Sequence, residues 1–431
     1  MDRYPTAAEV TESARRLVSR FPGVGRLRRV GTSRAGRPIL MLSVGHGPRH
    51  ILVVARPHPD EPVGGATALA LAEQVARDDR AFAATDPAVV TWDIILCLDP
   101  DGAALSQGIE EATARADHAL ASYFRTAYRP IAAEQPEWAP IEGQQLPEGQ
   151  TLFHVIDELR PFLQCSLHGV EAGGSWVQLT HHLPGLAEPF RASATGLGIP
   201  VQRGTFDALY WENPDPGVYV LPPPDSTDRL AAGSENIGLS TWCAPARYGG
   251  VTAIVEVPMW ASDMADDLAP HPEAGRVLRD LARLVRDDGG QVTAFLDKAR
   301  AFLPPAQGSP PRRVLEWMAD GLYDLVADSW EPLARQAADD PRRLTTAQVC
   351  TLDVVARRQP LRAAGLLLRL LKEADDAAAP GLHRELDELF TAWCTDFEKA
   401  HRLRWVPVRH QVEHQARTVV AAAESTLRDL G

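Results

Sequence analysis

The 431-residue sequence holds no apolar run long enough to span a bilayer, so no membrane-spanning helix is expected. It lacks a basic excess: the formal net charge is -13, which argues against nucleic acid as the main partner and speaks to solubility rather than to substrate. Cysteine is scarce. Cys97, Cys165, Cys243, Cys350 and Cys394 are odd in number, far apart and mostly inside apolar runs, which excludes a disulfide framework and a CxxC zinc site and leaves reduced core thiols. No repeat or low-complexity segment occurs. Residues Met1 to Thr6 lack the basic start, apolar segment and cleavage site of a secretory signal, so the expectation is a cytoplasmic protein without membrane or nucleic-acid partners. What remains is a globular composition, 45% hydrophobic and 23% charged, in a chain longer than one core usually holds.

The stretch that organises the chain is Arg56-Pro57-His58-Pro59-Asp60-Glu61, directly after the apolar run Ile51 to Ala55. A buried strand ends there, and a His and a Glu three residues apart sit at its carboxyl end, where open α/β sheets place ligands. Imidazole nitrogen and carboxylate oxygen suit zinc, and a catalytic zinc needs one more protein ligand and an open position. The HxxE spacing alone is weak, since roughly one is expected by chance in such a chain. A second one exists: His410, Glu413 and His414 read as an inverted HxxEH signature, but no suitable carboxylate follows at the required distance, and a solvated amphipathic helix is the reading there.

Upstream, Thr6 and Glu9 form a capping-box pattern that opens a first helix. Two apolar runs, Leu27 to Val30 and Pro38 to Val44, flank a turn and predict a hairpin. Ile51 to Ala55 is the third strand, a small-residue helix over 64–76 follows, and Trp92 to Leu98 predicts another strand that ends in a turn, Asp99 to Gly102. Further on come a run ending in a histidine, Pro161 to Gly169, and a β-rich run carrying a carboxylate, Val251 to Pro258. Glu256 within that strand is costly unless it is partnered, neutralised or functional.

In this order the motifs resemble the zinc metallocarboxypeptidase superfamily, the funnelins of pancreatic and cytosolic carboxypeptidase type. The resemblance rests on Phe21-Pro22, Val30-Gly31-Thr32-Ser33, Gly36-Arg37-Pro38-Ile39, the His58 to Glu61 motif, the Asp99 to Gly102 turn and the two later strands, and covers roughly residues 4 to 260. It implies one zinc per chain held by His58, Glu61 and His168, with Glu256 as the proton shuttle. The position two residues before His168, usually Asp in the family, is Ser166. Arg115, thirteen residues after Gly102, is the candidate for polarising the substrate carbonyl. The family's Asn-Arg pair that holds a substrate carboxylate has no match between Gly102 and His168. Arg129 and Tyr248 are the substrate-binding candidates, with Tyr219 competing for the tyrosine role. The proline-broken stretches from Glu134 to Gln150 and from Asn213 to Asp228 are expected to form the rim of the site.

The fold expected is α/β, a mixed twisted sheet flanked by helices, with an additional all-α C-terminal region. A catalytic domain over 1–302, completed by helices over 270–287 and 291–302, is followed by a proline-rich linker, 303–311, and a helical domain over 312–431 that includes helices over 345–358, 361–374 and 408–430. That last region could serve oligomerisation, dock a partner protein or cover the site. The function implied is removal of a C-terminal residue from a peptide or peptide-like amide. Cleavage of N-acyl amino acids, as in the desuccinylase and aspartoacylase relatives, is the alternative, and an inactive scaffold acting through the helical region is the second.

Overall fold

The computed structural model describes residues 2–77, 82–114, 119–138, 145–209, 211–223, 237–340 and 344–430. Its strands are β1 (Gly25–Thr32), β2 (Pro38–Val44), β3 (Arg49–Ala55), β4 (Val90–Ile95), β5 (Leu163–Gly173), β6 (Trp176–Leu179), β7 (Glu212–Asp215), β8 (Val218–Val220), β9 (Val251–Ala261) and β10 (Arg404–Trp405). Together they form one mixed sheet in the order β1-β2-β4-β3-β5-β9-β6-β8-β7, with β10 paired to β9. The expected α/β class and the β1-β2 hairpin are both present.

Three neighbours, β3, β5 and β9, run parallel. Their runs Ile-Leu-Val-Val-Ala, Leu-Gln-Cys-Ser-Leu and Thr-Ala-Ile-Val are buried throughout, as strands covered on both faces must be. One face is covered by the helices Ala7–Arg20, Val63–Ala76, Ala187–Gly196 and Val408–Asp429, the other in part by Pro147–Leu159. Thr6 caps the first of these with a reciprocal Glu9 box, as expected. Because the strands are parallel and in register, their carboxyl ends open on one edge, and His168 on β5 lies directly beside Glu256 on β9.

Four local expectations are corrected. The strand predicted over 92–98 ends at Ile95, and Asp99 caps a short helix, Pro100–Leu105, by accepting a bond from the Gly102 amide at 2.8 Å. The helices expected over 270–287 and 291–302 are one helix, Ala274–Ala299. Its Gly289 is used for packing, since an added Cβ would fall 2.3 Å from the Tyr323 ring. Likewise 345–358 and 361–374 are one helix, Thr346–Glu373, which runs through the buried Pro360. Burial along its length outweighs the backbone bond that proline removes. The C-terminal helix is not a solvated one, because Gln411, His414, Gln415 and Thr418 are all completely buried.

That C-terminal helix is tied into the sheet. Tyr4 donates to Gln411 at 2.7 Å and Thr67 donates to Gln415 at 2.7 Å. The Gln415 amide donates to the carbonyls of His168 at 2.7 Å and Val255 at 3.0 Å. The helix Thr346–Glu373 also comes close, with Gly365 seated on the backbone of Phe124, where a Cβ would meet the carbonyl oxygen at 2.1 Å. Residues after 312 therefore pack against the elements that carry the site.

Candidate metal centre

The first part of the site is a strained turn. Arg56, the residue after β3, sits at φ 50°, in the left-handed region that non-glycine residues rarely adopt. Its buried guanidinium bonds Glu110 at 2.9 Å and the Pro59 carbonyl at 3.1 Å. These contacts fix the loop that presents His58 and Glu61. Gly64, at the start of the following helix, permits close approach to the Leu167 carbonyl, 3.1 Å from where a Cβ would lie.

His58, Glu61 and His168 converge, one ligand atom of each lying within 4.8 Å of the others, and among the described residues they form the one such group of metal-ligating side chains. Nδ1 of His58 is 3.0 Å from one Glu61 oxygen and Nδ1 of His168 is 3.1 Å from the other. Each outer Nε2 is held by an acceptor: Gln135 Oε1 at 3.1 Å for His58, Glu137 Oε2 at 2.9 Å for His168. This is the arrangement a metal centre requires, with Nδ1 directed inward and the second nitrogen donating outward so that ring orientation is fixed. Two imidazoles and one carboxylate, with a cavity beside them, match a three-ligand zinc site with one open position. The donor set therefore fits the metal that the sequence implies.

Electrostatics divide the roles. Burial alone would raise the Glu61 carboxyl, but Arg129, His58 and His168 together hold it well below the usual carboxylate range. Burial lowers His58, with Arg129 adding to the effect. Burial would also lower His168, yet the charge of Glu61, the hydrogen bond to Glu137 and the charge of Glu256 outweigh it and raise its pKa well above the ordinary value. Glu256 behaves oppositely to Glu61. Burial pushes its carboxyl up to about 8, the nearby His168 offsetting part of the rise and Glu61 adding to it. Its Oε1 lies 3.9 Å from His168 Nδ1, and its buried Oε2 has no hydrogen-bond partner among the described residues. A raised carboxyl with a free oxygen facing a cavity is what general acid and base chemistry near neutral pH needs.

Arg129 lines the cavity, 18% exposed, paired with Glu61 at 2.5 Å and Asp60 at 3.1 Å. It orients the carboxylate of Glu61, a candidate metal ligand. Tyr248 is not among the residues that line the cavity: it is exposed, and its hydroxyl donates at 3.0 Å to Asp157 on the helix Pro147–Leu159. Tyr219 is buried and donates to the Gln202 carbonyl at 3.2 Å. Arg115 lies outside the described residues.

Sequence reasoning missed Glu137, which belongs to the stretch expected to form only a rim. One of its oxygens accepts from Ser166 at 2.7 Å and the other from His168. It supplies from a loop the carboxylate that Ser166 does not. The serine at that position was the available signal, since it implied that support for His168 comes from elsewhere. Arg358 and Arg362, from the helix Thr346–Glu373, were also missed. They line the same cavity of about 280 Å³ as His58, His168 and Glu256.

Residues 10–130 match the family model described as zinc carboxypeptidase, peptidase family M14. His58, Glu61 and Arg129 fall inside the matched segment; Glu137, His168 and Glu256 lie beyond it. No curated protein matches the chain. Among solved structures, the chain is similar to a metallo-carboxypeptidase from Burkholderia cenocepacia, with 17% identity, a TM-score of 0.35 and coverage of 56% of this chain and 58% of that one. A metallo-carboxypeptidase from Pseudomonas aeruginosa, in complex with (2-guanidinoethylmercapto)succinic acid, gives 20% identity, a TM-score of 0.35, and coverage of 57% and 59%. The chain thus spans less than two thirds of the length of either. No helix among the described residues is long and apolar enough to cross a membrane.

Proposed function

Because its residues 10–130 match the zinc carboxypeptidase family, we propose that this chain is a zinc-dependent hydrolase that removes a C-terminal residue from a peptide or peptide-like amide. The observation that carries the reading is the convergence of His58, Glu61 and His168 beside a Glu256 whose Oε2 is free of protein partners among the described residues. A zinc ion held there supplies Lewis acidity to the scissile carbonyl and makes water more acidic. Glu256 takes a proton from the attacking water and delivers it to the leaving amine. Glu137 and Gln135 hold the two imidazoles, and Arg129 holds Glu61, so the ligand set is preorganised.

A second reading, hydrolysis of small N-acyl amino acids, is favoured by the small cavity of about 280 Å³, at the lower edge of the range for ligand sites. One experiment separates the two. Purified protein is incubated with mixed peptides and N-acyl amino acids, with and without a strong chelator, and products are read by mass spectrometry. Chelator-sensitive loss of single C-terminal residues supports the first reading. Cleavage confined to N-acyl amino acids moves the activity to the second, and turnover that survives chelation removes both.

A further inference from the structure

Three arginines reach the cavity, and they differ in how fully they are used. Arg129 is committed to Asp60 and Glu61. Arg362 is committed to Glu171, its Nε 2.9 Å from Oε1 and its Nη2 on the same oxygen, with Asp60 3.7 Å away. Arg358 is not so committed. Its closest carboxylate contact is Nη1 to Glu171 Oε2 at 3.5 Å, longer than a good charged hydrogen bond, and its buried Nε has no partner among the described residues. The side chain is only 17% exposed. A largely buried guanidinium with unused donors, lining the cavity that Glu256 and His168 also line, is costly unless an anion completes it.

We propose that Arg358 receives the free carboxylate of the substrate's C-terminal residue, so that the helical region after residue 312 completes the substrate site. This rests on the hydrolase reading above and names the group that its substrate must carry. Several features support a built site. Of the three arginines that line the cavity, Arg129 and Arg362 are taken up by protein carboxylates, which leaves Arg358 as the guanidinium with donors to offer. Glu171 lies beside Arg358 and is itself bonded by Arg362: the two arginines outweigh its burial and hold its carboxyl at about 2, so its charge persists and draws the guanidinium to that side of the cavity. The planar fork of an arginine matches a carboxylate through two parallel N–H bonds, which a lysine at this position could not reproduce. Gly365, further along the same helix, lets that helix sit against Phe124 and so brings Arg358 to the cavity.

The test is binding rather than turnover. In the Glu256→Gln protein, loaded with zinc, calorimetry compares a series of N-acetylated dipeptides with the same dipeptides as C-terminal amides. The free acids should bind about 10- to 100-fold more tightly than the amides, the range a charge-assisted pair contributes. Adding Arg358→Ala should erase that preference, weakening the acids by the roughly 10- to 100-fold difference and the amides by much less, and Arg358→Lys should keep part of it. Far-ultraviolet circular dichroism and melting of both variants establish that they fold, and the lysine variant carries the test if the alanine variant does not. Equal binding of acids and amides, a preference that survives Arg358→Ala, or no binding of either series overturns the proposal. These outcomes are separate from those of the chelator experiment, since a wild-type enzyme that cleaves peptides without an Arg358-dependent preference keeps the hydrolase and loses this assignment.

Discussion

Glu137 accepts a hydrogen bond from Nε2 of His168 at 2.9 Å across 31 residues of sequence, and its second oxygen accepts from Ser166 on the strand that carries His168. The pair fixes the ring so that Nδ1 faces Glu61. Removing such an outer partner typically costs about 10- to 100-fold in metal affinity. Glu137→Ala should therefore weaken zinc binding by that order in a chelator competition, and Ser166→Ala, which leaves the His168 bond intact, should weaken it less. Wild-type affinity in Glu137→Ala would show that His168 needs no such support.

Much of this site is legible in the amino-acid sequence. His58 and Glu61 follow a buried run, His168 ends another and Glu256 sits in a third, and parallel strands in register bring such ends together whatever the loops do. The helix starts are legible where a cap marks them, as Thr6 and Glu9 do. What escapes is set by tertiary contact. Glu137 comes from a stretch with no periodicity, so only its partners reveal its role. Arg358 lies about 100 residues beyond Glu256 and reaches the cavity through a helix whose docking depends on a glycine. Pro360 and Gly289 read as breaks because local propensity disfavours them, whereas packing of the long helices prevails.

Glu256 gives the metal-free protein a pH signature. Its folded pKa of about 8 exceeds the unfolded carboxylate value, so the native state binds more protons between the two. The stabilisation is fully present below the unfolded pKa of about 4 and is lost as pH rises through about 8. Denaturant titrations with chelator present should show wild-type protein losing stability, by up to a few kcal/mol, between about pH 5 and about pH 9 relative to Glu256→Gln. Parallel curves for the two proteins across this window would mean that Glu256 is not protonated in the fold.

Gly365 sets how closely the helix Thr346–Glu373 approaches the segment leading to Arg129. A Cβ there would lie 2.1 Å from the Phe124 carbonyl oxygen, and a backbone atom cannot move aside as a side chain can. Gly365→Ala should destabilise the protein by about 1–3 kcal/mol, the usual cost of overpacking, although alanine is the better helix former. A melting temperature equal to or above that of the wild type would show that the helix is free to shift.

Gln415 joins the C-terminal helix to the two strands of the site. Its carbonyl oxygen accepts from Thr67 at 2.7 Å, and its amide nitrogen donates to the His168 and Val255 carbonyls at 2.7 and 3.0 Å. All of these groups are fully or nearly fully buried. Leucine at this position conserves bulk and removes three hydrogen bonds, leaving a hydroxyl and two carbonyl lone pairs without the partners they had. A loss of about 2–4 kcal/mol is expected for Gln415→Leu, and Thr67→Val added to it should cost less than it does alone, because its partner is already gone. The carbonyl released belongs to a metal-ligand candidate. Zinc affinity should therefore fall in Gln415→Leu, while Glu413→Ala, on the exposed side of the same helix, should leave it unchanged. Equal zinc affinity in all three proteins would confine Gln415 to holding the helix and separate the C-terminal helix from the geometry of the site.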